Sequence, residues 1–293
     1  MPTLTNMRDM QDILQKHGFR FSKALGQNFL INPSVCPKMA SMCGADEHTG
    51  VLEIGPGIGV LTEQLSKVAK KVVSVELDDR LLPVLAETLA DCDNVEIVHG
   101  DILKLDIPAL IEEKFRYVDE DGTCRRMPVV VCANLPYYIT SPILMALLEQ
   151  HLPIEAITVL VQKEAAQRLC AAPGTRECGA ITLAVHYYAE PEILFGVSRG
   201  SFMPAPNVDS TVIRLTLREQ RALDADQEKQ LFRTVRAAFE QRRKTLSNSL
   251  KTGGFGKEQI AAALEAAGLS PTARAERLTM EQFVALSKAL VES

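Results

Sequence analysis

Four things are missing from this sequence of 293 residues, and each sets aside a class of protein. No apolar run approaches the roughly 18 residues that a membrane helix needs, so no membrane association is expected. The first twenty residues carry Arg8, Asp9, Asp12 and Lys16 around no apolar core. No secretion signal is therefore expected, and the expected compartment is the cytoplasm. The seven cysteines include no C-x-x-C pair. Scattered and odd in number, they suit reduced thiols better than disulfides or zinc, and no metal site is expected. Positive charge is not in excess either. The net charge is −5, so any binding of nucleic acid has to come from a local patch.

What is present is ordinary in bulk, with 46% hydrophobic and 24% charged residues. That is the composition of a globular protein with a sizeable core, and the length suits a large domain with a small one. The informative stretch is Val51-Leu-Glu-Ile-Gly-Pro-Gly-Ile-Gly-Val-Leu-Thr62. Four apolar-rich residues read as a buried strand, glycines follow at 55, 57 and 59, and helical spacing resumes at Val60. Glycine lets the backbone approach a ligand, and a helix N-terminus offers N–H groups. A dinucleotide fingerprint would have its third glycine where this chain has Val60. With Glu53 two residues before the first glycine, the pattern resembles the S-adenosylmethionine (SAM) loop of class I methyltransferases. A tight structural turn is the alternative.

Around this loop the chain alternates. Strands are expected at 71–76, 94–99, 129–133 and 156–162, with helices at 3–17, 33–42, 60–68, 79–90, 107–115, 141–150 and 163–171. Residues 116–127 read as a polar surface loop. Strand-like segments at roughly 185–197 and 210–218 read as an antiparallel hairpin at one end of the sheet. Alternation at this spacing implies an α/β fold with a parallel sheet covered on both faces. The expectation is a Rossmann-like sheet of the class I SAM-dependent methyltransferase kind, parallel with an antiparallel terminal strand. From Leu223 only helices are expected, at 227–250, 257–267 and 280–291. The division is placed at 1–220 for a catalytic domain and 221–293 for a small all-helical, RNA-contacting one.

Chemistry concentrates at strand ends. Glu76, 21 residues after Gly55, stands where doubly wound nucleotide sites place an acid on the ribose hydroxyls. Asp101 can accept a hydrogen bond from an adenine amino group or cap a turn. Asn134-Leu-Pro-Tyr137 is the most specific tetrapeptide. An exocyclic adenine amine is a poor nucleophile because its lone pair is delocalised into the ring. An amide oxygen and a backbone carbonyl can accept its two hydrogens and aim the lone pair at a methyl donor. Pro136 stiffens the turn, and Tyr137 can stack on the base. Phe202, amid prolines, reads as a fixed, exposed aromatic that could clamp a flipped base with Tyr137, or else anchor its own loop. Residues 229–251 set Lys229, Arg233, Arg236, Arg242, Arg243, Lys244 and Lys251 against one acid, Glu240. That is a phosphate-binding footprint unless it is a solvated face, and Arg20 and Lys23 extend it.

These stretches, with Lys23-Ala-Leu-Gly-Gln-Asn-Phe-Leu30, Phe202-Met-Pro-Ala-Pro-Asn-Val-Asp-Ser210 and Gln241-Arg-Arg-Lys-Thr-Leu246, resemble the ribosomal RNA adenine N6-dimethyltransferases, and among them the bacterial small-subunit enzymes. The resemblance spans nearly the whole chain in order. It implies SAM contacts from Asn28, Leu30, Gly55, Gly57, Glu76, Asp101 and Asn134. It implies a substrate, too: two adjacent adenosines in the hairpin near the 3′ end of 16S rRNA, each dimethylated during assembly of the 30S subunit. A monomer is expected. The alternatives are a 23S rRNA dimethylase, a DNA adenine methylase, and an assembly factor that binds rRNA without catalysis. Leu135 weighs against the first, the tetrapeptide against the second, and the intact glycine loop and Asn134-to-Tyr137 turn against the third.

Overall fold

A computed structural model describes residues 4–22, 26–119, 121–219, 222–241 and 243–292, with residue 292 described by its backbone only. Lys23 and Arg242, both expected in the RNA footprint, lie outside the described residues. The chain forms two compact units, 1–166 with 192–217 and 167–191 with 218–293.

The first unit is built on a seven-stranded sheet. Its strands are β1 (Gly50–Ile54), β2 (Lys71–Glu76), β3 (Val95–His99), β4 (Val129–Asn134), β5 (Ala156–Gln162), β6 (Ala189–Val197) and β7 (Ser210–Leu217), in the order β3-β2-β1-β4-β5-β7-β6. The four pairings from β3 to β5 are parallel, and β7 runs antiparallel to β5. This is the expected mixed sheet. The order of strands reverses at β1, with β2 and β3 added on one side of it and β4 and β5 on the other, so the loops after β1 and β4 diverge and leave a crevice at their C-terminal ends. All five residues of β1 are buried, which requires cover on both faces. On one face Val51, Val72 and Val130 share a core with helices Met7–Lys16, Val35–Met42, Val60–Ser66 and Leu82–Thr88.

Three expected elements differ. The polar loop at 116–127 is a two-stranded ladder, Arg116–Val118 with Cys124–Arg126. Arg125 pairs with Asp119 and Asp121, while Arg116 and Arg126 both reach Glu112, so charge pairing does here what apolar alternation does elsewhere. Residues 185–188 close the helix Ala180–Tyr188 rather than opening a strand. Tyr187 and Tyr188 pack on Phe232 with ring centroids 5.3 Å away, and both hydroxyls donate to the buried Glu228. The expected helix 227–250 is two helices, Ala225–Phe239 and Leu246–Thr252. The Leu246 N–H donates to the Ala273 carbonyl at 2.7 Å, which turns the chain out of the first axis.

The second unit is all helical. Ala180–Tyr188, Ala225–Phe239, Leu246–Thr252, Lys257–Ala266 and Met280–Glu292 enclose a core that includes Leu183, Leu231, Leu250, Leu264 and Phe283. Residues 167–191, assigned by sequence to the catalytic domain, therefore group with 218–293, because Cys178 and Leu183 are buried in that core. No helix among the described residues is long and apolar enough to cross a membrane.

Candidate active site

The C-terminal ends of β1 to β4 and the segment 26–30 line one cleft in the first unit. At Gly57 (φ 62°), in the loop after β1, a Cβ would meet the Phe29 ring at 3.1 Å. The N–H groups of this loop are engaged within the protein. Gly55 donates to the Val75 carbonyl at 2.9 Å, Gly59 to the Pro56 carbonyl at 3.0 Å, and Gly57 to Glu76 Oε2 at 3.2 Å. The other Glu76 oxygen accepts the Asp78 N–H at 2.8 Å. Burial raises the Glu76 carboxyl above the usual range, and these N–H donors work against that rise. Both its oxygens keep a further lone pair for a ligand.

Beneath the loop sits a carboxylate that sequence reading did not rank as a site residue. Glu53 is 1% exposed and accepts from Thr62 at 2.7 Å and Ser74 at 2.6 Å, both at Oε2. Its Oε1 is buried without a partner. Burial pushes the group up to about 7. Glu53 also lines the cleft, so once it is ionised, above about pH 7, a ligand with donors has an orphaned acceptor to meet.

Asn134 ends β4, and its Nδ2 donates to the Asn28 carbonyl at 3.3 Å. That bond directs the amide oxygen away from Asn28. The Pro136 carbonyl is taken by the Ile139 N–H at 3.1 Å and the Thr140 hydroxyl at 3.2 Å. Tyr137 is half-buried, its hydroxyl 2.6 Å from Ser210 Oγ. Tyr138, not singled out by sequence, is 58% exposed and also lines the cleft. Asp101 lines it as well, but its Oδ1 accepts the Leu103 N–H at 3.1 Å and it faces Lys104, so the turn-cap role is realised there. Asn28 and Leu30 complete the wall.

Phe202 requires a correction. Expected as exposed, it is 3% exposed, belongs to the apolar core and lies outside the cleft lining. It sits in a two-residue strand, Phe202–Met203, that pairs antiparallel with Phe29–Leu30. Its place is thus the one given by the alternative, an anchor.

The described residues of the expected basic footprint are exposed, as a solvent-facing phosphate surface needs. Lys229, Arg233 and Arg236 recur at helical spacing on Ala225–Phe239, with the Arg233 guanidinium 4.8 Å from the Phe255 ring centroid. Arg243 and Lys244 lie in the turn after that helix rather than on it. Arg20, in the first unit, is exposed too. No group of acids, histidines and cysteines fit to hold a metal occurs among the described residues.

The sequence model of a family described as ribosomal RNA adenine dimethylase matches residues 18–292. A protein of Geobacillus thermodenitrificans named ribosomal RNA small subunit methyltransferase A is 50% identical, over 96% of this chain and 94% of the relative. One of the same name from Clostridioides difficile is 45% identical over 98% and 96%. Among solved structures, a dimethyladenosine transferase from Plasmodium falciparum aligns with a TM-score of 0.70 at 25% identity, covering 88% of this chain and 95% of that one. The 23S rRNA methyltransferase ErmE aligns with a TM-score of 0.66 at 28% identity, covering 90% and 100%.

Proposed function

This chain belongs to the ribosomal RNA adenine dimethylase family, and on that premise we propose that it transfers methyl groups from SAM to the N6 atoms of two adjacent adenosines in the 3′-terminal hairpin of 16S rRNA, acting in the cytoplasm on the assembling 30S subunit. The observation that carries the reading is the Asn134-to-Tyr137 turn, opening on a cleft that also holds Glu76 and the glycine loop. The 45% and 50% identical relatives named for the small subunit favour 16S over 23S rRNA.

SAM fits the residues present. Glu76 has lone pairs for ribose hydroxyls, Leu30 and Ile102 are apolar walls for an adenine, and the orphaned Glu53 Oε1 suits a ligand that brings N–H donors. Asn28, Leu30, Gly55, Gly57, Glu76, Asp101 and Asn134 would hold it. When bound, SAM supplies a methyl group activated by a positively charged sulfur.

The chain's own contribution is to prepare the acceptor. The Asn134 amide oxygen and a backbone carbonyl take the two hydrogens of the adenine amine, which draws its lone pair out of the ring. With the Pro136 carbonyl already engaged, the Leu135 carbonyl is the one we assign. Tyr137, fixed through its hydroxyl by Ser210, offers its ring to the base. No strong base is needed, because the methylated nitrogen sheds its proton readily. The exposed bases of the second unit, with Arg20, bind the RNA backbone. Incubation with labelled SAM and unmethylated small subunits, followed by mapping of the modified nucleotides, tests the reading. Label on two adjacent adenosines of the 3′ hairpin is the expected outcome. Label confined to other nucleotides of the small-subunit RNA, or none, would overturn it.

A further inference from the structure

Gln27 lines the cleft between Gly26 and Asn28, and its side chain joins two parts of the N-terminal segment to the rim of the donor site. Its Oε1 accepts the Ser22 N–H at 3.0 Å, and its Nε2 donates to Asp78 Oδ2 at 2.8 Å. Asp78 is 4% exposed and lies two residues past the end of β2, its N–H donating to Glu76. Arg80 donates to both Asp78 oxygens, at 2.7 and 2.6 Å, and holds that carboxyl below its ordinary range. The same guanidinium lies 5.2 Å from the Phe19 ring centroid. Phe19 and Phe21 flank Phe29, with ring centroids 6.1 and 5.2 Å away, and the Phe29 ring presses on Gly57. One connected set of contacts thus runs from Glu76 through Asp78 and Gln27 to Asn28, whose carbonyl receives Asn134.

We propose that Gln27, Asp78 and Arg80 form a clasp that fixes 26–30 against the donor cleft, and that Gln27 is a positioning residue for the SAM contacts of Asn28 and Glu76. The inference rests on the reading of this cleft as the SAM site. Its chemistry is specific, since the side chain at 27 must accept from Ser22 while donating to a carboxylate at 78, as an amide does. The short hydrogen bond to an ionised partner is of the stronger kind.

The chemistry sets the test. Gln27→Glu faces Asp78 with a second carboxylate, and Gln27→Ala removes the link without adding charge. Each should weaken SAM binding by about tenfold or more in calorimetry. The rise in KM for SAM should exceed any fall in kcat, which would come only through the Asn28 carbonyl that holds Asn134. In the double variant Gln27→Glu with Asp78→Asn, the new amide at 78 can donate to the carboxylate at 27 and the facing pair of carboxylates is gone, while the Arg80 bond to Asp78 Oδ2 is lost. SAM affinity should recover in part over Gln27→Glu alone, which a merely structural lesion would not allow. Equal thermal unfolding midpoints check that the fold is intact. If Gln27→Glu lowers the midpoint, Gln27→Ala carries the comparison. Wild-type affinity in both single variants, or no recovery in the double, would overturn the clasp alone. Wild-type protein that binds no SAM would overturn the reading of the cleft, and the clasp with it.

Discussion

Asn134 carries its proposed chemistry in one carboxamide, whose nitrogen is held by the Asn28 carbonyl so that the oxygen is left for the substrate. Asn134→Ala should therefore cost turnover more than binding, because that contact strengthens as the lone pair leaves conjugation. A loss on the order of a hundredfold in single-turnover rate is expected, with little change in RNA affinity. A wild-type rate would remove Asn134 from the mechanism. A second residue-scale expectation concerns Glu53. Its folded pKa, about 7, lies above the ordinary carboxylate value, so the folded state holds a proton that the unfolded chain releases at lower pH. Stability from this group is complete below the ordinary value near 4.5 and is lost as pH rises through about 7. Ligand-free wild type should thus lose a few degrees of unfolding midpoint relative to Glu53→Gln between about pH 5 and pH 8. Parallel pH profiles for the two proteins would show that Glu53 is ionised throughout. Asn134 and Glu76 were legible in sequence because a strand end followed by a polar residue has few other meanings in this fold. Glu53 was not: an acid within an apolar strand shows its burial only once Thr62 and Ser74 are seen converging on it. Phe202 was misread because a strand of two residues leaves no periodicity to detect, and its partner lies 172 positions away at Leu30.

At the scale of elements, the inner strands of the sheet were legible where apolar runs alternated with helical spacing, since burial on both faces leaves a continuous apolar signal. The ladder at 116–126 was hidden because its pairing is made by charges, and the break after Phe239 because nothing in Gln241-to-Thr245 forbids a helix. What forces that break is packing. Gly253, at the end of Leu246–Thr252, lets that helix approach Ala225–Phe239 so closely that a Cβ at 253 would lie 2.3 Å from Ala237 Cβ. Neither atom ends a flexible side chain, so Gly253→Ala must push the two helices apart. Thermal or denaturant unfolding should show a loss of about 1–3 kcal/mol. Pairing it with Ala237→Gly removes the closest contact, leaving the Cα at 237 at 3.0 Å, and should recover part of that loss, less about 1 kcal/mol for glycine inside a helix. If the single variant unfolds with the wild type, this contact is looser than described.

For the whole molecule, a net charge of −5 gives no hint of a polyanionic partner, and the division near 220 followed the change in composition rather than the fold. Composition could not reveal that 167–191 groups with the C-terminal helices, since that follows from which core buries Leu183. The charge is nonetheless unevenly spread. Lys229, Arg233, Arg236, Arg243, Lys244 and Lys251 are all exposed, within a stretch whose sole acid is Glu240. A protein of negative total charge gains affinity for RNA only where cations displace the counterions condensed on phosphates, and each such contact adds about 0.7–0.9 to the slope of log affinity against log salt. Changing Arg233, Arg236, Arg243 and Lys244 together to Glu should therefore do two things at once. It should weaken binding to small subunits at low salt by far more than at high salt, and it should flatten the slope by up to about three. SAM binding should be untouched, because the cleft is lined only by residues of the first unit. Binding measured across a salt series separates this from a folding defect, which would lower affinity at every salt concentration alike. An unchanged slope would mean that these cations face water in the complex, and that the RNA is held by other residues.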